Sequence, residues 1–130
     1  MSRNRIHCCG LQDSTGSLLV AIRPASQSSR CRSTAASAAS WTGGTPLGTT
    51  DIEAFQKVIS TNLTGVFFTV QSALPHLNDN ASIILNGSVI SVLGIPGYSA
   101  YGAAKAGVRA MARIMASELS PRGIRVNVVA

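Results

Sequence analysis

Acidic residues are scarce in this chain. Its 130 residues include five Asp and Glu against eleven Lys and Arg, a formal charge of +6. Such a balance invites a nucleic-acid partner. Aromatic residues make up only 5% of the chain, however, and the arginines neither cluster densely nor interleave with those aromatics, so a basic nucleic-acid-binding module stays a minor alternative. Cysteine is equally sparse, with Cys8, Cys9 and Cys31. An odd count with an adjacent pair does not build a disulfide framework, and no second Cys/His cluster beside His7-Cys8-Cys9 supplies metal-ligand spacing. Free thiols in a reducing cytoplasm are the expectation, with no metal. Long apolar runs are missing too. Leu18-Leu19-Val20-Ala21-Ile22 falls far short of the roughly 20 residues that span a bilayer, and no secretory core lies near the start, so no membrane is expected.

What is present is unevenly spread. With 45% hydrophobic residues the chain can build one cored domain. Residues 1–50 hold five Arg, one acid, all three cysteines and nine serines, and so carry four of the six net charges. From Met1 to about Thr42 large apolar residues are few and no helical stripe forms. Such a segment buries too little surface to offset its chain entropy, and disorder is expected; its Arg- and Ser-rich, acid-poor composition also fits a transit peptide. Regular patterning begins near Gly43.

The chemistry-bearing stretch runs from Gly87-Ser88 to Lys105. Ser82-Ile83-Ile84-Leu85-Asn86 predicts a strand, Gly94, Pro96 and Gly97 mark a loop, and an Ala-rich helix is expected over about 99–119. Tyr101 and Lys105 then stand one turn apart on one face, roughly 6 Å along the axis. A cation that close, at an effective dielectric of about 20, contributes roughly 3 kcal/mol toward ionising a phenol. Tyr101 could then exchange a proton with a substrate oxygen, and Ser88, 13 residues upstream, could donate to the same oxygen. The bland alternative is a surface tyrosine and a solvated lysine sharing a helix face.

Two flanking elements complete the pattern. Thr50-Asp51-Ile52-Glu53 reads as a capping box opening a helix at Asp51. Ile52, Phe55, Ile59, Leu63, Val66, Phe67, Val70 and Leu74 recur every three or four residues as its apolar stripe, and Pro75 marks its end. Asn62 lies inside that helix, where an Asn commonly faces solvent or marks a kink. Beyond Pro121 and Gly123, Ile124–Val129 reads as a strand parallel to the earlier one.

In order and spacing, four segments resemble the short-chain dehydrogenase/reductase family: Thr61-Asn62-Leu63-Thr64-Gly65-Val66-Phe67, Gly87-Ser88, Tyr101 with Lys105, and Pro121-Arg122-Gly123-Ile124-Arg125-Val126-Asn127-Val128. The resemblance covers about residues 43–130. It implies an α/β fold, an incomplete Rossmann-like parallel sheet flanked by helices, behind a poorly ordered N-terminal segment. It also implies an NAD(P)-dependent oxidoreductase moving a hydride between nicotinamide and an alcohol or carbonyl substrate. Asn62, Ser88, Tyr101 and Lys105 would correspond to the catalytic tetrad. Tyr101 would be the acid/base, Ser88 would hold the substrate oxygen, and Asn62 would hold a relay water. Tyr101 and Lys105 would face the cofactor, with Lys105 on its ribose hydroxyls. A homo-oligomer through the helices at about 51–75 and 99–119 is implied as well.

One family element is missing. The Thr-Gly-x-x-x-Gly-x-Gly phosphate turn does not occur within these 130 residues, and Asp13-Ser14-Thr15-Gly16-Ser17 lacks the later glycines. Two readings follow for the whole: residues 1–42 as an out-of-frame or foreign leader on a partial dehydrogenase domain over 43–130, and an inactive fragment with at most an interface role. NAD and NADP are not distinguished, because no second strand with its discriminating acidic or basic residue is recognisable.

Overall fold

The computed structural model describes residues 18–22, 31–37 and 44–130. Of the leader expected over 1–42, only strands β1 (Leu18–Ile22) and β2 (Cys31–Ser37) are described. The remaining expectations for that segment, including those on Cys8 and Cys9, lie outside the described residues. Four strands form one sheet in the order β1-β2-β3-β4, where β3 is Leu77–Asn86 and β4 is Arg125–Val129. β1 runs antiparallel to β2, while β2, β3 and β4 are mutually parallel. The expected parallel relation of the last strand to the one before Ser88 is thus realised, with Ile83 opposite Val126 and Leu85 opposite Val128.

β3 begins five residues before the expected Ser82. Its opening run Leu77-Asn78-Asp79-Asn80 is polar and hides a strand from any reading by apolar alternation. The side chains of Leu77, Ala81, Ile83 and Leu85 are buried, and between the last two Ile84 points to the opposite face and is partly exposed. That alternation packs one face of the sheet against helices α2 (Gly65–Ala73) and α3 (Ser99–Leu119). Val66, Val70 and Ala73 from α2 and Val108, Ala112 and Met115 from α3 close the core with them. Each fully buried Leu, Ile or Val contributes about 1.5–3 kcal/mol, so this layer carries most of the fold's stability.

The helical segment before β3 departs from its expected form in two ways. Its N-cap is Asp51, whose carboxylate accepts from Ala54 N at 2.7 Å. The expected box of Thr50 with Glu53 does not form: Asp51 takes the cap position, and the Thr50 hydroxyl donates to Pro46 O at 2.6 Å. α1 (Ile52–Ile59) then passes through a π-helical turn, Ser60–Thr64, before α2 begins, and Gly65 N reaches back to Ser60 O. A π-turn inserts a residue into the helical phase. Val58 and Asn62 are buried, Leu63 of the expected stripe is partly buried against the core, and Ile52, Phe55 and Phe67 of that stripe are exposed.

α3 matches its expected bounds, and what fixes it lies far away in sequence. Its N-cap residue Tyr98 provides no side-chain cap. The first turn is held instead by Thr45, buried in the loop before α1, whose Oγ1 accepts from Ala100 N at 3.1 Å while its backbone N donates to Gly97 O at 2.7 Å. At the other end Arg122 donates to Asp79 at 3.0 Å and to Leu77 O at 2.6 Å, which ties the turn after α3 to the start of β3. The described residues therefore form an incomplete α/β, Rossmann-like unit, with parallel strands joined through helices on one face.

Candidate active site

The sheet's C-terminal edge delivers the serine. β3 ends at Asn86, and Gly87 N donates to Val129 O at 2.6 Å, drawing the chain hard against β4. A Cβ on Gly87 would lie 2.6 Å from Val128 Cγ1 and 2.9 Å from Val129 O, so only glycine allows this approach. Ser88 follows in extended geometry at the head of a 3₁₀ turn over Val89–Ser91. It is half-buried, and its Oγ accepts from Ile90 N at 3.3 Å. With a lone pair filled by that amide, the hydroxyl proton remains free to be donated outward.

α3 delivers the phenol and the ammonium. Tyr101 and Lys105 are both buried, Lys105 completely. Lys105 Nζ donates to Asn86 O at 3.0 Å and stands 5.5 Å from the centroid of the Tyr101 ring. A single bond thus pins the lysine across from helix to strand end, next to the residue pair that leads to Ser88. Burial strips water from the ammonium and lowers its pKa from 10.5. Tyr101 packs with Val58 and Ala100, flanked by Ile90 and Tyr98. The Tyr98 ring meets it edge-on, with centroids 6.5 Å apart and an interplanar angle of 69°.

Asn62 enters from the π-turn. It is fully buried, not solvent-facing, and its Nδ2 donates to Val58 O at 3.1 Å. Val58 is the residue that packs with Tyr101, so Asn62 is linked to the site through one neighbour. Its Oδ1 has no partner among the described protein atoms. An unpaired buried acceptor costs about 1–3 kcal/mol, which marks a place where a further polar group would be held. The structure thus gathers Tyr101, Lys105 and the Asn86 carbonyl directly, brings Ser88 to the adjoining turn, and sets Asn62 behind Val58.

Lys105 spends one of its three N–H donors on Asn86 O, which leaves two without a partner among the described residues. Among the described residues no group of three or more His, Cys, Asp or Glu side chains could hold a metal ion. Likewise, no helix among them is long and apolar enough to cross a membrane.

Three participants were not evident from sequence. Thr45 acts across 55 residues, and no local motif announces it. The Asn86 carbonyl is a backbone group, legible only as the strand residue before Gly87-Ser88. Tyr98 was legible as an aromatic three residues before Tyr101, but its role depends on the loop. Replacing Thr45 by valine keeps its shape and strands the Ala100 amide. The expected loss is about 1–2 kcal/mol in urea unfolding, with Thr45→Ser close to wild type.

A phenol and an ammonium on one helix thus stand beside a strand-end serine at the edge of a parallel sheet. Residues 30–130 match the family model described as enoyl-(acyl carrier protein) reductase, starting ahead of the boundary expected near Gly43. An oxidoreductase of Sarocladium schorii is 46% identical over 87 residues, which are 65% of this chain and 35% of that protein. Carveol dehydrogenase of Mycobacterium avium, solved with NAD, is 36% identical with a TM-score of 0.68, over 76% of this chain and 37% of that one. A short-chain dehydrogenase of Burkholderia cenocepacia J2315, solved with NADP, is 27% identical with a TM-score of 0.65, over 69% and 37%. The chain belongs to the short-chain dehydrogenase/reductase family, a family of NAD(P)-dependent oxidoreductases. It spans about a third of the length of the curated relatives it matches, 35% for the first of them. Both dinucleotides occur among its solved relatives, and NAD and NADP remain undistinguished for this chain.

Proposed function

We propose that this chain carries the proton-transfer half of an NAD(P)-dependent alcohol/carbonyl oxidoreductase site, with Tyr101 as acid/base. The observation that carries this reading is the fully buried Lys105 ammonium, fixed to Asn86 O at 3.0 Å and held over the Tyr101 ring. In the reducing direction, Ser88 donates its hydroxyl proton to the carbonyl oxygen and Tyr101 delivers a proton to that oxygen as it becomes negative. In the oxidising direction Tyr101 takes the alcohol proton back. When bound, the nicotinamide supplies or accepts the hydride. Lys105 holds the ribose hydroxyls with its two uncommitted N–H groups, and its charge offsets the negative charge left on the phenol oxygen. Asn62 holds a relay water on its unpartnered Oδ1. The reducing cytoplasm is the proposed compartment.

Cofactor affinity is expected to be weak. No glycine-rich phosphate turn occurs in the 130 residues, so the pyrophosphate lacks the backbone cradle and helix N-terminus that usually anchor it. Calorimetric titration of the purified chain with NADH and NADPH should give dissociation constants well above micromolar. A micromolar value for either would overturn this expectation.

A second reading, a non-enzymatic fragment that pairs with other copies, draws on the exposed outer face of the same helices. Phe67 and Phe68 are exposed and stack edge-to-face with centroids 5.3 Å apart. A shallow groove of about 190 Å³ beside them is lined by Phe67, Val70, Leu74, Met115 and Leu119. Sedimentation velocity should show an oligomer that Phe67→Asp converts to monomer. A wild-type chain that sediments as a monomer would remove this reading and the proposed homo-oligomer with it.

A further inference from the structure

The loop between Ser88 and Tyr101 bears on substrate class. From Asn80 to Ala104 the sequence contains no Asp, Glu, Lys, Arg or His. Four aliphatic side chains of this loop stand open to solvent: Val89 is 54% exposed, Val92 65%, Leu93 55% and Ile95 42%. Charge-free loops with so much exposed aliphatic surface are costly to keep in water unless something apolar covers them.

The loop also borders open space. An open cavity of about 350 Å³ is lined by Ile90, Leu93, Ile95, Pro96 and Tyr98, with Gly102 on its helix side. That lies in the range of small-molecule sites. It is roughly twice the ~150 Å³ that accommodates a benzene ring, and so suits a body of about two rings. Its walls are joined to the proposed reacting groups. Ile90 N donates to Ser88 Oγ at 3.3 Å, the Tyr98 ring abuts Tyr101, and Gly102 follows Tyr101 directly on α3. The nearest cation in sequence, Lys105, is fully buried and bonded to Asn86 O, and it is not among the cavity's lining residues.

We propose that this site selects an uncharged alcohol or ketone with an apolar body of about two rings, seated on Leu93, Ile95 and Tyr98, and rejects substrates whose body carries a charge. The proposal rests on the oxidoreductase reading of Ser88 and Tyr101 and deepens it. A carboxylate on a body seated on Leu93, Ile95 and Tyr98 would give up part of its hydration and meet no cationic side chain among the lining residues. The only polar side-chain groups among the lining residues are the hydroxyls of Tyr98 and Ser99.

Binding of 1-decalone to the purified chain, followed by saturation-transfer NMR, tests this without turnover. Decalone should bind saturably, and a decalone carboxylate at least about tenfold more weakly. Leu93→Asp and Ile95→Asp, both at exposed positions that leave the fold intact by circular dichroism, should each weaken decalone about tenfold, while Leu93→Met stays within about threefold. Equal affinity for the two ketones, no saturable decalone binding, or indifference to both aspartates would overturn the proposal. Tyr101→Phe separates the two readings. It should keep decalone binding while removing the turnover wild type shows at millimolar NADH or NADPH, and a Tyr101→Phe chain that turns over as fast as wild type would sink the oxidoreductase reading and leave the apolar preference standing.

Discussion

Replacing Tyr101 with phenylalanine should lower ketone reduction by about 10²–10⁴-fold and leave the fold in place. The ring supplies the packing with Val58, Ala100 and Ile90, and phenylalanine keeps it. What is lost is the Tyr101 hydroxyl, the proposed proton donor to the substrate oxygen. Because cofactor affinity is expected to be weak, rates are best compared as the slope of initial velocity against millimolar NADPH or NADH. Urea unfolding of the variant should fall within about 1 kcal/mol of wild type, which separates lost chemistry from lost structure. Ser88→Ala should cost about 10²–10³-fold by the same measure, since it removes a donor to the developing oxyanion and leaves the proton source. A phenylalanine variant with more than about a tenth of the wild-type slope would show that Tyr101 is not the acid/base.

The placement of Tyr101, Lys105 and Ser88 was legible in sequence where their geometry is local. Tyr101 and Lys105 are four residues apart on an uninterrupted helix, so their proximity follows from helical pitch alone, and α3 begins and ends at the expected residues Ser99 and Leu119. Ser88 follows a β-branched run that could only be a strand. Non-local effects were not legible. The apolar stripe expected over Ile52–Leu74 assumed one continuous α-helix. A π-turn at Ser60–Thr64 interrupts it, Asn62 within that turn is buried, and nothing in Ser60-Thr61-Asn62-Leu63-Thr64 announces it. The start of β3 was hidden by Asn78-Asp79-Asn80, whose polarity reflects the edge of the core and the ion pair of Asp79 with Arg122. Thr45 was invisible for a third reason: its partner Ala100 is reached only once the loop before α1 has folded onto α3.

Substituting Lys105 should separate its proposed role in the site from its effect on stability. Lys105→Met keeps the length and apolar stem of the side chain and removes the charge. Two effects on stability then oppose each other. The variant no longer buries a dehydrated ammonium, but Asn86 O loses its donor, a cost of about 1–3 kcal/mol. Their balance depends on pH in a definite direction. Burial lowers the folded-state pKa of Lys105 from 10.5, so between that lowered value and 10.5 the unfolded chain holds a proton that the folded chain has released. Wild-type stability therefore rises with pH across this window. Below it, both states are protonated and the folded chain bears the full cost of the buried charge; above it, that cost is gone. The difference between wild type and Lys105→Met, taken from urea unfolding at successive pH values, should grow in favour of wild type as pH climbs toward 10.5, with other titrating groups cancelling in the subtraction. A difference flat in pH would mean that the ammonium is hydrated in the folded chain. Turnover should fall about 10²–10³-fold in the variant at neutral pH, because the charge over Tyr101 and the donors proposed for the ribose are both gone. A variant that is relatively more stable at neutral pH yet inactive would show that Lys105 is retained for chemistry at a cost to the fold.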